Sequence, residues 1–278
     1  MKRALLIGIN YIGTKHELGG CMNDVNNIEK FIVDNCNYKR ENITKLTDKS
    51  DIKASRKNIE ESILLLAKDV VSGDTLFFYY SGHGTQINPN EDDKTTDNSS
   101  NDVDVDVDVD LDEVLVPLDY IRNGFITDEW LYDNLANILP KGVTLWSFAD
   151  CCHSGTILNL EYNLIYQRQK NNGREEYNET DWVDQYILYL IKNSKKKIET
   201  EADVYMFSGC LDSQTSADTG EQGAFTGCFL ETINNNYKNR KIIDVLKEID
   251  CRLNINGYEQ VTQLSIGNLD DIHKNLDL

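Results

Sequence analysis

Apolar residues recur along the chain in two alternating rhythms. Short unbroken runs, "RALLIGIN" (3–10), "DTLFFYY" (74–80), "VTLWSFA" (143–149) and "ADVYMFS" (202–208), have the length and β-branched or aromatic content of strands buried on both faces. Between them lie segments of helical period. In "NDVNNIEKFIVDN" (23–35) apolar residues fall at 25, 28, 31 and 32, with Asn23 or Asp24 as the expected cap. In "SRKNIEESILLLAKDV" (55–70) Ile59, Ile63, Leu66, Ala67 and Val70 form one stripe. "ITDEWLYDNLANIL" reads as a helix capped by Thr127 or Asp128, and further helices are expected near 224–236 and 241–254. "ENITKLTD" reads as a short strand, order resumes at "VLVPLDY", and "EQVTQLSI" reads as a last strand. Strands alternating with helices predict an α/β fold, a mostly parallel central sheet with helices on both faces.

Two segments break this rhythm. Residues 91–113 carry eleven acids against the single Lys94, so about half of the net charge of −19 sits in one stretch. Its Asp-Val alternation at 102–110 imitates a strand, but that many carboxylates on one face repel each other, so a solvated or ion-dependent loop is expected. Residues 159–202 are polar and rich in Lys and Asn, with order expected only around "WVDQYILYLI"; they read as a linker-like insertion. The acidic balance argues against nucleic-acid partners. No apolar run reaches the ~20 residues of a membrane span. The start "MKRALLIGIN" is too short in its apolar part for a signal peptide, so a cytoplasmic protein, or a nuclear one, is expected. Seven cysteines without framework spacing suit thiols in a reducing compartment.

The chemistry collects after the strands. "NYIGTKHELGGCMND", "SGHG", "DCCHSG" and "SGCLDSQTSAD" each follow a buried run. Parallel strands end along one edge, where open α/β sheets bind ligands, so topology alone draws Cys21, Asp24, His83, Asp150, Cys152 and Asp218 to one crevice. Adjacent Cys151, Cys152 and His153 cannot readily wrap a tetrahedral zinc ion, and a disulfide between neighbours is strained. A phosphatase loop wants arginine six places on, where Leu158 stands. A nucleophilic thiol remains, needing a histidine from elsewhere. His153 is adjacent, and neighbouring side chains near a strand end point apart. His83, between Gly82 and Gly84, is the better base, with room beside its ring for a substrate.

"YYSGHG" followed about seventy residues later by "DCCHSG" resembles the metacaspases, caspase-like cysteine peptidases. "GCMND", "MFSGCLDSQTSAD" and "QVTQLS" extend the resemblance in order from residue 3 to 267. It implies a caspase-like, three-layer αβα fold in one domain over 1–278. That domain would comprise a large-subunit-like part (1–158, with acidic loop 88–113), the insertion 159–202 and a small-subunit-like part (203–278). It implies Cys152, directly before His-Ser-Gly, as nucleophile, His83 as catalytic histidine, and the backbone amides of Cys152 and Gly84 as oxyanion donors. Asp150, Asp24, Cys21 and Ser81 match the family's specificity pocket. Two carboxylates there favour Arg or Lys before the cut bond and repel an acid, so protein or peptide substrates with basic residues are expected.

The resemblance further implies activation by Ca2+, with Asp112 and Glu113 as ligands, joined by upstream acids such as Asp93 and Asp97. A further acidic ligand follows the cysteine in some members, where this chain offers Asn159 and Glu161. The chain lacks a Pro-rich N-terminal extension, so control by a prodomain is not expected, and Thr85 replaces the usual glycine after His-Gly. Arg168, Lys170, Arg174 and "KNSKKK" (192–197) make the insertion a candidate for self-cleavage. A monomer is expected by analogy. The competing readings are a catalytically silent caspase-like scaffold and a calcium-binding regulatory protein.

Overall fold

The computed structural model describes residues 1–88, 111–152, 155–168, 186–192, 200–211, 217, 220–233 and 239–278. Eleven strands and six α-helices follow in chain order among them: β1 (Lys2–Gly8), α1 (Cys21–Cys36), β2 (Ile43–Thr47), α2 (Arg56–Ala67), β3 (Thr75–Ser81), β4 (Gly84–Ile87), β5 (Asp112–Leu115), α3 (Tyr120–Asn123), β6 (Ile126–Thr127) and α4 (Asp128–Leu131). Then come β7 (Thr144–Asp150), β8 (Tyr162–Arg168), β9 (Tyr186–Lys192), β10 (Asp203–Ser208), α5 (Ala224–Ile233), α6 (Ile242–Ile255) and β11 (Gln263–Ile266).

Eight strands form one sheet in the order β2-β1-β3-β7-β10-β11-β8-β9. The first five are mutually parallel, and β11, β8 and β9 add on antiparallel. Alternation along each central strand splits its side chains between two cores. Ala4, Leu6, Phe77, Tyr79, Trp146, Phe148, Tyr205 and Phe207 pack with α1, α5 and α6. Leu5, Ile7, Leu76, Phe78, Tyr80, Leu145, Val204 and Met206 pack with α2 and α4 on the other face. The three-layer αβα arrangement follows, and the runs read as doubly buried are the central strands.

Several local expectations are corrected. Helix α1 starts at Cys21, and neither Asn23 nor Asp24 caps it. The amide of Met22 donates instead to Asn10 Oδ1 at 2.9 Å, so the cap is supplied from the end of β1. Asp24 is fully buried and turned to the sheet edge. The segment after Thr127, whose Oγ1 accepts from Trp130 N, forms only one α-turn before widening into a π-turn at Tyr132–Ala136. Within 159–202, strand β8 adds order beyond the "WVDQYILYLI" patch, and β9 pairs with it antiparallel. The last strand is shorter than "EQVTQLSI", because Gln260 and Thr262 spend side-chain bonds on Gly209 O and Ser208 O. A small second sheet, β4-β5-β6, was not anticipated; the acidic segment is the connection between its antiparallel strands β4 and β5. Its Asp-Val run lies outside the described residues.

Candidate active site

The carboxyl ends of β1, β3, β7 and β10 face one cleft. Leu18, Cys21, Asp24, Ser81, Gly82, His83, Asp150, Cys152, Ala217 and Gly223 line it. Six of the residues singled out from the sequence therefore share one site. Gly84 borders it from below: a Cβ there would stand 2.2 Å from Cys152 O, so only glycine lets the two backbones meet. His153, Asp218, Asp93 and Asp97 lie outside the described residues.

Adjacent cysteines part company at the end of β7. Cys151 is buried (1% exposed) in the core shared with α2, and its carbonyl accepts from Cys210 Sγ at 3.1 Å. Cys152 is half-buried and opens to the cleft. The strand's alternation thus separates a packing thiol from an accessible one.

His83 is held from three sides. Its amide donates to Tyr11 Oη at 3.0 Å, and its carbonyl accepts from Tyr80 Oη at 2.8 Å and Val116 N at 3.2 Å. The Tyr11 ring lies 4.7 Å from the imidazole, centroid to centroid. Tyr11 is itself tied down, donating to Val116 O at 2.6 Å and sitting at φ 52°, a left-handed conformation that a side chain rarely adopts. Burial pushes the Tyr11 and Tyr80 phenols well above their usual range, so both stay protonated donors. His83 Nε2 stands 2.8 Å from His16 O. A carbonyl only accepts, so Nε2 carries the proton in the neutral ring and Nδ1 is left as the basic nitrogen. Tyr11, Tyr80 and the His16 carbonyl were not found by sequence reading. "NYIGTKH" contains two of them, but nothing in its pattern says that the loop folds back over the histidine.

Asp24 and Asp150 meet at Gly223. The Gly223 amide donates to Asp24 Oδ1 and Oδ2 at 3.0 and 3.1 Å, and Ser81 Oγ donates to Oδ2 at 2.8 Å. Asp150 Oδ2 accepts from Thr226 N at 2.9 Å and Thr226 Oγ1 at 2.7 Å. A Cβ at Gly223 would come within 2.1 Å of Asp150 Oδ2 and 3.0 Å of Asp24 Oδ2. Both carboxylates are almost fully buried, and their charge raises the Tyr79 phenol further, second to burial itself. Gly223 and Thr226 were also missed, because the link between α5 and the pocket spans about 75 to 200 residues of sequence.

Residues 2–161 match the family described as "Metacaspase, peptidase C14 domain". The chain is 35% identical to Metacaspase-1 of Candida albicans over 95% of its own length. The chain belongs to the metacaspase family. Metacaspase-1 of Cryptococcus neoformans (33% identical) and Metacaspase-1B of Neurospora crassa (34%) are similar over 95% of the chain, which covers 62% and 66% of those proteins. The chain spans 64% of the Candida albicans relative. In three dimensions a Geobacter sulfurreducens protein of known crystal structure matches with a TM-score of 0.65 at 22% identity, covering 99% of this chain and 98% of that one. The likeness extends to the fold, and the architecture is caspase-like.

On the metacaspase frame, the acids expected to hold calcium divide. Asp112 is half-buried and acts electrostatically on Asp128, whose carboxyl burial pushes up to about 6. Asn159 Nδ2 donates to Asp128 Oδ2 at 2.9 Å. Glu113 is buried, and its Oε2 accepts from Thr156 N at 3.1 Å, tying β5 to the turn after Cys152. Glu161 pairs with Lys192 at 2.9 Å. Among the described residues no three His, Cys, Asp or Glu side chains form a metal-ligand group. No described helix is long and apolar enough to cross a membrane.

Proposed function

We propose that the chain is a cysteine endopeptidase that cuts peptide bonds after Arg or Lys. The observation that carries this reading is the shared cleft, with an accessible thiol, an oriented imidazole and two buried carboxylates on one wall. The Cys152 thiol passes its proton to His83 Nδ1, and its sulfur bonds to the carbonyl carbon of the substrate. The carbonyl π-electrons move to oxygen, which the amides of Cys152 and Gly84 stabilise. As the C–N bond breaks, the imidazolium gives its proton to the leaving amine, leaving a thioester. Water, deprotonated by His83, then adds to the thioester and frees the acid and the thiol. Throughout, the His16 carbonyl and Tyr11 keep the ring in the required tautomer and place.

Asp24 and Asp150, with Cys21 and Ser81 beside them, form the base of a pocket for the side chain before the cut bond. A guanidinium or ammonium there meets two negative charges already fixed by backbone and hydroxyl donors. An acidic side chain would meet repulsion, so caspase-like cleavage after aspartate is not expected.

Calcium belongs to the same proposal as an activator. Asp112, with Asp93, Asp97 and neighbouring acids of the β4–β5 connection, would hold it, in keeping with calcium's preference for carboxylate oxygens. Glu113 would join them, while its Oε2 also accepts from Thr156 N at the turn after Cys152. Self-cleavage is proposed at the "KNSKKK" run past Lys192, since Lys192 itself is paired with Glu161 in β9. A cytoplasmic monomer completes the reading.

The test is kcat/KM for matched peptides carrying Arg, Lys or Asp before the bond, with calcium or chelator. Arg and Lys peptides should be cut with calcium, the Asp peptide should not, and Asp150→Asn should lower kcat/KM for the Arg peptide by roughly 100-fold. Cleavage of the Asp peptide at a comparable rate would overturn the pocket assignment. Undiminished turnover in chelator would overturn the calcium proposal.

A further inference from the structure

A second cavity lies at Gln260, whose Oε1 accepts from the amide of Ala217 in the lining of the catalytic cleft. It has a volume of about 220 Å³, and Tyr166, Asp250, Asn254, Tyr258, Glu259 and Gln260 line it. That is far more room than the ~10–15 Å³ a single water needs. Its floor is Asp250 on α6, only 6% exposed, whose Oδ1 accepts one long bond of 3.4 Å from Thr262 N. Among the described residues no cationic side chain pairs with it. Burying a carboxylate with neither a cation nor full hydrogen bonding is unfavourable, and a core built for packing alone would place an apolar residue there.

The walls define what would satisfy it. Tyr166 and Tyr258 are among its lining residues, and Lys247 Nζ lies over one face of the Tyr166 ring, 5.9 Å from the centroid, the kind of contact an aromatic wall offers a cation. Glu259 stands exposed at the rim and adds negative charge at the mouth. A hard metal ion would need six or more oxygens, whereas two rings and a carboxylate suit a weakly hydrated organic cation. The cavity is also preformed. Gln260 braces it from behind, donating to Gly209 O at 2.6 Å and accepting from Ala217 N at 2.9 Å.

We propose that this cavity, floored by Asp250 and walled by Tyr166 and Tyr258, is a binding site for a small organic cation of the guanidinium or alkylammonium class, separate from the catalytic cleft. Ala217 lines the catalytic cleft and its amide donates to Gln260 Oε1, so one hydrogen bond links the linings of the two sites.

Methylguanidinium is the probe, followed by NMR of 13C-labelled tyrosine rings assigned through Tyr166→Phe, Tyr258→Phe and Tyr11→Phe. The Tyr166 and Tyr258 signals should shift saturably in the wild type. In Asp250→Asn the apparent Kd read from them should rise at least tenfold, and Asn254→Leu, which fills the cavity, should do the same. Ring signals that stay unmoved in the wild type, or that shift with equal affinity in both variants, overturn the proposal. The Tyr11 ring beside His83 reports the catalytic cleft independently. Its failure to respond bears on the specificity pocket and leaves the Asp250 site standing.

Discussion

Two glycines carry more of this site than their size indicates. A methyl at Gly223 would press into both pocket carboxylates, and one at Gly84 would strike the Cys152 carbonyl oxygen. Gly223→Ala and Gly84→Ala are each expected to abolish turnover while lowering stability by roughly 1–3 kcal/mol, read from urea unfolding beside a kinetic assay. Retained wild-type activity in either would show that the backbone gives way easily there. Asp250 supplies a pH prediction. Burial raises its carboxyl from 3.8 to about 7, so the folded chain binds a proton that the unfolded chain has already released between those values. Stability therefore falls as pH rises from about 4 to about 7, and Asp250→Asn should be more stable than wild type at pH 8. The gain should be on the order of 2–4 kcal/mol, and should vanish near pH 4. Equal unfolding midpoints at pH 8 would mean that Asp250 is already neutralised in the apo chain.

At the scale of elements, helix α2 shows how far local sequence reaches. Its apolar stripe predicted the segment, and Ser55 Oγ accepts from Asn58 N at its start. Ser55→Ala should cost about 1 kcal/mol without changing kcat, measured by thermal unfolding and steady-state rates. The four central parallel strands were legible because burial on both faces leaves an unbroken apolar signature. Strand β8, "YNLIYQR", was not. It carries polar Asn163 into the sheet, and its partners β11 and β9 are supplied from distant parts of the chain. Helix α4 disappointed its periodicity for a similar reason: the π-turn at Tyr132–Ala136 swings Leu135 and Ala136 into the core, a tertiary demand that a 3.6-residue period cannot reveal. Strand ends were readable; the loops folding over them were not. Asp24, Asp150, Cys152 and His83 could be placed by topology, whereas Tyr11, His16 and Gly223 arrive through long-range loop contacts and Thr226 from the first turn of α5.

For the whole molecule, charge and topology act together. The chain carries a net charge of −19, about half of it within residues 91–113, and its cleft is itself lined by Asp24 and Asp150. Basic peptides should be drawn in electrostatically, so kcat/KM for an Arg peptide should fall severalfold between ~50 and ~500 mM salt, while kcat stays nearly constant. A salt-independent kcat/KM would assign recognition to contact alone. The central claim is that Cys152, and not its neighbour Cys151, attacks a carbonyl whose preceding side chain is basic. It is tested most directly by treating the protein with calcium and a peptidyl acyloxymethyl ketone bearing Arg before the reactive carbon, then mapping the adduct by mass spectrometry. The expected result is one adduct per chain, located on Cys152, with no labelling by the matching Asp reagent. Modification of Cys151, or equal labelling by the Asp reagent, would contradict it.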